Sequence, residues 1–139
     1  MPRLRSLVLP AVVVAVALAA VIVAGGAAAG PTVTIGVHWS RFVPREVSVP
    51  VGVPVTFLLR NDDPIEHEWI VGDAALHERH RTGTEPAHHV RPTEQSMPAL
   101  TTIETRVTFD HPGRYLYICH LPGHEAYGMV GVVTVTASP

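Results

Sequence analysis

The stretch ICHLPGHEAYGM, residues 118 to 129, gathers side chains that bind soft transition metals. It holds the only cysteine of the chain, Cys119, followed by His120, His124 and Met129. A protein core has no need of a thiol, two imidazoles and a thioether in one short loop, whereas a soft metal ion binds all three donor types. The spacing Cys-x4-His-x4-Met therefore predicts a metal centre in this loop.

Copper is the metal that this donor set favours. A copper centre of the electron-transfer type takes two histidines and one cysteine in a trigonal plane, with a weak axial methionine. The loop supplies Cys119, His124 and Met129, so the second histidine must come from another strand at the same end of the fold. The best candidate is His67 in NDDPIEHEW, because it follows a turn-rich stretch and begins a predicted strand.

The elements that must position these ligands are short β-strands. Alternating or β-branched segments joined by Gly and Pro turns occur at 32–39, 46–61, 67–72, 102–109, 114–119 and 129–136. About seven such strands with little helical periodicity predict an all-β fold, a Greek-key antiparallel β-sandwich. Residues 73–100 interrupt this succession of short strands. We expect residues 74–81 to form two helical turns and the remainder to be a long polar loop between strands.

The N-terminus has the pattern of an export signal. Arg3 and Arg5 precede an apolar run from Leu7 to Ala29 that ends in small residues, as before a signal-peptidase site. A run of this length could also remain as a membrane anchor, through residues 7–29. The predicted organisation is a signal peptide or anchor over 1–29 and a copper-binding domain over 30–139, located outside the cytoplasmic membrane and either periplasmic or extracellular.

Charge and cysteine content exclude several classes of function. Without the two N-terminal arginines, eight basic residues face twelve acidic ones, a net charge of −4 that argues against a nucleic-acid partner. A single cysteine cannot form an internal disulfide. All nine histidines follow residue 30, which strengthens the interpretation as a metal protein.

Two longer segments carry a family resemblance. FVPREVSVPVGVPVTFLLRNDDPIEHEW and PGRYLYICHLPGHEAYGMVGVVTV resemble the early and closing segments of the cupredoxins, the blue copper proteins related to plastocyanin and azurin. The resemblance runs from about Thr32 to Thr136 and implies that His67, Cys119, His124 and Met129 hold copper. It also implies that Asn61 or Asp62 ties the ligand loops together, and it leaves open which of the two does so.

Rival interpretations concern single residues. Zinc prefers more thiolates, or histidines with carboxylates, and methionine is a poor zinc ligand. Met97 is the competing thioether, but its place in the irregular segment favours Met129. His120 is expected to be a surface residue or a neighbour of the site, since the His-Cys-His sequence of multicopper oxidases is only half present. The loop histidines His77, His80, His88 and His89 are expected to be solvated, with a second, weaker metal site as the alternative.

The predicted function is one-electron transfer by a single copper ion that cycles between Cu(II) and Cu(I). No substrate is expected to be converted, so the chain is not predicted to be an enzyme, and its partners are expected to be redox proteins at the outer face of the membrane. The alternatives are a copper storage or delivery protein that uses the His-rich segment 77–89, and a domain of an oligomeric copper oxidase or reductase.

Overall fold

The computed structural model describes residues 30–83 and 91–137. The predicted signal or anchor over 1–29 lies outside the described residues, and so do His88 and His89. Within the described part of the chain, no helix is long and apolar enough to cross a bilayer.

Nine strands and one helix make up the described chain. The strands are β1 Thr32–Val37, β2 Phe42–Val43, β3 Glu46–Pro50, β4 Val55–Asn61, β5 His67–Gly72, β6 Glu94–Met97, β7 Thr102–Val107, β8 Gly113–Ile118 and β9 Val130–Thr136, and helix α1 spans Ala74–Thr82. Four of the predicted strand segments contain one of these strands each, the segment 114–119 is shifted by one residue from β8, and the segment 46–61 contains β3 and β4. This segment turns at Gly52, whose φ of 70° lies in the left-handed region that glycine tolerates best.

The strands form two sheets, and the predicted β-sandwich is confirmed. One sheet has the order β2-β1-β4-β7 and the other the order β3-β9-β8-β5-β6. Most neighbouring strands are antiparallel, but β1 pairs with β4 and β3 pairs with β9 in parallel. Hydrophobic alternation does not distinguish the two orientations, so the sequence pattern contained no signal for the parallel pairs.

The core lies between the sheets, and alternation along the strands assigns side chains to it. In β4 the burial alternates strictly, with Val55, Phe57 and Leu59 buried and their neighbours partly exposed. The same alternation in the segment 102–109 buries Thr105, Val107 and Phe109. A rigid two-layer core of this kind gives the loops at its ends fixed anchor points.

The segment 73–100 contains more regular structure than its composition suggested. Helix α1 forms where two turns were expected, with Asp73 capping its first turn and Gly83 ending it at a φ of 70°. Beyond it, β6 adds an edge strand to β5, with Met97 directly opposite His67. The expectation that Met97 lies in irregular chain was therefore wrong: its four-residue strand is too short and too polar for a periodicity signal.

Candidate metal centre

Three of the four predicted ligands converge at one end of the sandwich. His67 begins β5, Cys119 follows β8 directly, and His124 lies in the loop between β8 and β9. One donor atom from each of the three lies within 4.8 Å of the other two. His67 and Cys119 are fully buried and His124 is partly exposed, so the cluster sits just beneath the surface.

A carboxylate that the sequence analysis overlooked orients His67. The Nε2 atom of His67 lies 3.0 Å from Asp63 Oδ2, which can only accept, so the ring donates its Nε2 proton there. The opposite nitrogen, Nδ1, is left with its lone pair and lies 3.2 Å from His124 Nδ1. A fixed partner behind a ligating histidine selects its tautomer in this way. The only sequence signal for Asp63 was its position four residues before a candidate ligand.

Asp63 also holds a neighbouring loop in place. Its two carboxylate oxygens accept hydrogen bonds from the backbone N–H groups of Trp39 and Ser40, at 2.8 and 2.7 Å. Both of these residues have positive φ values, 54° and 51°, which side-chain-bearing residues adopt only at a cost. Burial alone would raise the pKa of Asp63, but these hydrogen bonds and the one from His67 hold it below its ordinary value. The carboxylate is therefore ionised and links three segments at the site.

Asn61, and not Asp62, is the residue that ties the loops together. The Asn61 side chain is buried, and its amide nitrogen lies 2.8 to 3.1 Å from three carbonyl oxygens, those of Ile65, Met97 and Pro98. Its own carbonyl accepts a hydrogen bond from the Asp63 N–H at 3.0 Å. Asp62 points to the surface and pairs with Arg60. Only the tertiary structure distinguishes these adjacent residues.

The thiol of Cys119 is buried among hydrogen-bonding groups. The backbone N–H of Glu68 donates to its sulfur at 3.3 Å, and His124 Nδ1 lies 3.2 Å from the same atom. Burial raises the pKa of the Cys119 thiol to about 11, so a bound metal must displace its proton. Burial and nearby His67 lower the pKa of His124, which keeps its imidazole neutral and able to bind a metal.

Both methionines of the described chain are fully buried near the ligand-bearing elements. Met129 is tied to the loop by its backbone: its N–H donates to the His124 carbonyl at 3.0 Å, and its carbonyl accepts from the Cys119 N–H at 3.3 Å. Met97 is the cross-strand partner of His67. These contacts hold Met129 in the same closed loop as Cys119 and His124.

The donor set fits a copper ion. Metal bonds of about 2.0 Å to nitrogen and 2.3 Å to sulfur put ligand atoms roughly 3 to 4 Å apart. The two nitrogen atoms are 3.2 Å apart, and the sulfur lies 3.2 Å from His124 Nδ1. Two imidazoles and one thiolate are the equatorial set of electron-transfer copper sites.

Two histidines that were expected to be solvated, His77 and His80, have buried side chains beside this centre, where they meet His120. His77 in α1 is 1% exposed, and the side chains of His80 and His120 are only 2% and 5% exposed. His77 Nδ1 lies 3.0 Å from His120 Nε2, and the rings of His80 and His120 stack with centroids 5.4 Å apart. Helix α1 brings two of these rings against the copper loop, and no periodicity in a helix this short predicts that contact.

Solved structures with the same fold include two auracyanins. The chain superposes on auracyanin A, a blue copper protein from Chloroflexus aurantiacus, with a TM-score of 0.61 and 27% identity, over 77% of this chain and all of that one. It matches a dithionite-reduced auracyanin from Roseiflexus castenholzii with a TM-score of 0.63 at 21% identity, over 78% of this chain and 97% of that one. At 21% identity, the similarity to the Roseiflexus protein concerns the fold alone.

Curated relatives include copper proteins of two kinds. The chain is 28% identical to the copper-resistant cuproprotein CopI of Pseudomonas aeruginosa and 32% identical to that of Rubrivivax gelatinosus, with 68% of this chain aligned in each case. It is also 31% identical to auracyanin-B of Chloroflexus aurantiacus over the same share. The chain spans 70%, 59% and 47% of the lengths of these three proteins, respectively.

The family model of copper-binding proteins of the plastocyanin/azurin type matches residues 32–136. This range contains every strand of the described chain and all four predicted ligands. The match agrees with the sandwich fold and with the cluster of His67, Cys119 and His124, and copper is the cofactor that follows from both. The chain belongs to the plastocyanin/azurin family of copper-binding proteins, the cupredoxins, as its sequence resemblance implied.

Proposed function

We propose that this protein is an exported one-electron carrier whose copper would be held by His67, Cys119 and His124, with Met129 as a fourth and weaker ligand. The observation that carries the proposal is the convergence of two imidazole nitrogens and one thiol sulfur within 4.8 Å. Copper supplies the one-electron chemistry by alternating between Cu(II) and Cu(I).

The surrounding residues favour electron transfer because they hold the ligands rigidly. His67 lies on a core strand and is oriented by Asp63, while Cys119 is bounded by the β8 strand and the Glu68 N–H. A ligand set held at the ends of adjacent strands β5 and β8 changes little between oxidation states, so little rearrangement accompanies each electron. Asn61 adds to this rigidity by joining the loops on either side of the site.

An apolar surface next to the site suits a redox partner. Trp39, Ile65 and Leu100 are 78%, 48% and 70% exposed. Two of them contact Asp63: the Trp39 N–H donates to its carboxylate, and the Leu100 N–H donates to its carbonyl at 3.1 Å. Exposed apolar side chains gathered in one place often mark a protein contact site. We infer that a partner redox protein docks here, beside Asp63, the hydrogen-bond partner of His67.

Location and the absence of catalysis are part of the same proposal. The apolar N-terminal run supports export to the periplasm or the outer face of the membrane, with residues 7–29 as a possible anchor. A carrier converts no substrate, so its partners are electron donors and acceptors rather than small molecules.

A copper-resistance role is the second candidate. Two of the relatives are named copper-resistant cuproproteins. A protein that stores or delivers copper would use the same ligands, with the segment 77–89 as an additional source of histidines. The two functions differ in what leaves the protein, since a carrier gives up electrons and keeps its copper.

The test begins with Cu(II) added to the purified protein. A thiolate ligand in a trigonal copper site should give an intense visible band, and Cys119→Ser should abolish it. A colourless protein that prefers zinc would refute the assignment. Next, the copper form is reduced in the presence of a Cu(I) chelator. A carrier retains its copper through repeated cycles, whereas loss of the ion on reduction would support delivery instead.

A further inference from the structure

A second pair of histidines has the same arrangement as the imidazoles of the copper centre. His77 Nδ1 lies 3.0 Å from His120 Nε2, compared with 3.2 Å between the facing nitrogens of His67 and His124. Both rings of the second pair are almost fully buried. The pair joins helix α1, which contains His77, to the loop that follows β8, where His120 comes directly after Cys119.

Each of the two rings has an oxygen atom on its outer side, and the one behind His77 determines where the proton of that ring lies. The Nε2 atom of His77 is 3.2 Å from the Leu116 carbonyl oxygen, which can only accept, so His77 carries its proton on Nε2. The Nδ1 atom of His120 is 3.5 Å from Glu125 Oε2, and this carboxylate favours a proton on Nδ1. His77 therefore turns the lone pair of Nδ1 toward His120 Nε2. At this distance the two nitrogens either share a proton or bind a common cation.

We propose that His77 and His120 form a second metal site, for a borderline divalent cation such as Cu(II) or Zn(II). Neutral imidazole suits these ions better than it suits Mg²⁺ or Ca²⁺. An oxygen partner behind His77 fixes its tautomer, as is usual for metal-binding histidines, and the Glu125 carboxylate lies 3.5 Å from the outer nitrogen of His120. The site does not depend on the proposed electron-carrier role, because neither residue is a ligand of the copper centre.

Solvent reaches one side of the proposed site, at His120. A groove of about 380 Å³ opens beside His120 and is also lined by His80, Arg81 and Glu125. Arg81 holds the Glu125 carboxylate through hydrogen bonds at 3.0 and 3.1 Å, which keeps this acid next to the pair. Water from the groove can complete the coordination of a cation held by the two imidazoles.

Copper titration of the full chain tests the site. The copper centre is first filled with one equivalent of Cu(II), identified by its visible band. Further Cu(II) is then added and followed by electron paramagnetic resonance. A second equivalent should bind, with a signal that has nitrogen couplings and no thiolate character. His77→Gln and His120→Gln should each lose this second signal, whereas His111→Gln, at an exposed turn, should keep it.

A second measurement needs no substitution. With the copper centre in its diamagnetic Cu(I) form, Zn(II) is added and imidazole ¹⁵N resonances are recorded. The resonances of His77 Nδ1 and His120 Nε2 should shift. If they stay in place, the pair is only a hydrogen-bonded link between helix and loop. The proposal is also overturned if the second copper signal survives both substitutions, or if His88→Gln with His89→Gln removes it while His120→Gln does not.

Discussion

Replacing Asp63 by alanine should weaken both the fold and the copper site. Asp63 accepts three hydrogen bonds, from the N–H groups of Trp39 and Ser40 and from the His67 ring. The adjacent Asp62 offers a matched control, because its carboxylate is 41% exposed and pairs only with Arg60 in the described chain. The two substitutions remove the same group from neighbouring positions.

The expected loss of stability follows from the number and type of these bonds. A hydrogen bond to a charged group contributes about 1.5 to 3 kcal/mol net. Three such bonds at the lower value amount to about 4.5 kcal/mol, and water can reach the N–H groups of Trp39 and Ser40 and recover part of this. We therefore expect Asp63→Ala to lower the free energy of unfolding by about 3 to 4 kcal/mol. We expect Asp62→Ala to lower the free energy of unfolding by only about 0 to 1 kcal/mol, because that is what an exposed ion pair contributes.

Copper affinity should fall as well, because His67 loses the partner that selects its tautomer. Removing such a partner typically weakens metal binding about 10- to 100-fold. This factor corresponds to about 1.4 to 2.7 kcal/mol. The visible band should survive, since all proposed ligands remain.

Two measurements check this prediction. Urea unfolding of the metal-free variants gives the stability difference without a contribution from copper, and competition with a Cu(II) chelator gives the affinity. The reasoning is refuted if Asp63→Ala matches Asp62→Ala in both measurements. A loss of stability with unchanged copper affinity would refute only the orienting role toward His67.

Three further predictions concern the ligands and the core. His67→Ala should leave the sandwich folded but abolish the visible band, and added imidazole should partly restore it; a normal spectrum would exclude His67 as a ligand. Met129→Leu should keep copper and colour and raise the reduction potential, because a donor to Cu(II) is lost; an unchanged potential would point to Met97 instead. Gly131→Ala would bring a Cβ atom into the ring of buried Tyr117 and should lower the free energy of unfolding by about 1 to 3 kcal/mol, measured in urea. Gly36→Ala is the control, because its Cβ atom meets only an ordinary contact at 3.5 Å. Equal stability of the two variants would contradict this prediction.

Local chain patterns were enough to predict most of the strands and three of the proposed ligands. Strand alternation is a property of neighbouring residues, because successive side chains point to opposite faces of a sheet. Cys119, His124 and Met129 lie within eleven residues, so their spacing alone suggested a shared site. His67 was chosen by its place at a strand start and by family resemblance, and its convergence with the loop required the fold.

Tertiary structure decided which polar residues support the site. Asn61, Asp62 and Asp63 are adjacent and similar in polarity, yet the first and third are buried and the second is exposed. Their roles depend largely on which carbonyl and N–H groups distant segments bring near them: Trp39 lies 24 positions from Asp63, and Met97 lies 36 positions from Asn61. No local rule contains that information.

The same reason explains the histidines that were expected to be solvated. Composition marked the segment 73–100 as polar, and polar segments are usually exposed. His77 is nevertheless buried, because α1 packs beside β5 and turns that ring toward His120, 43 residues later in the chain. The sequence by itself determined which donor types this protein has, and only the packing of sheets, helix and loops determined which of them meet, since contacts over such separations are set by the whole fold.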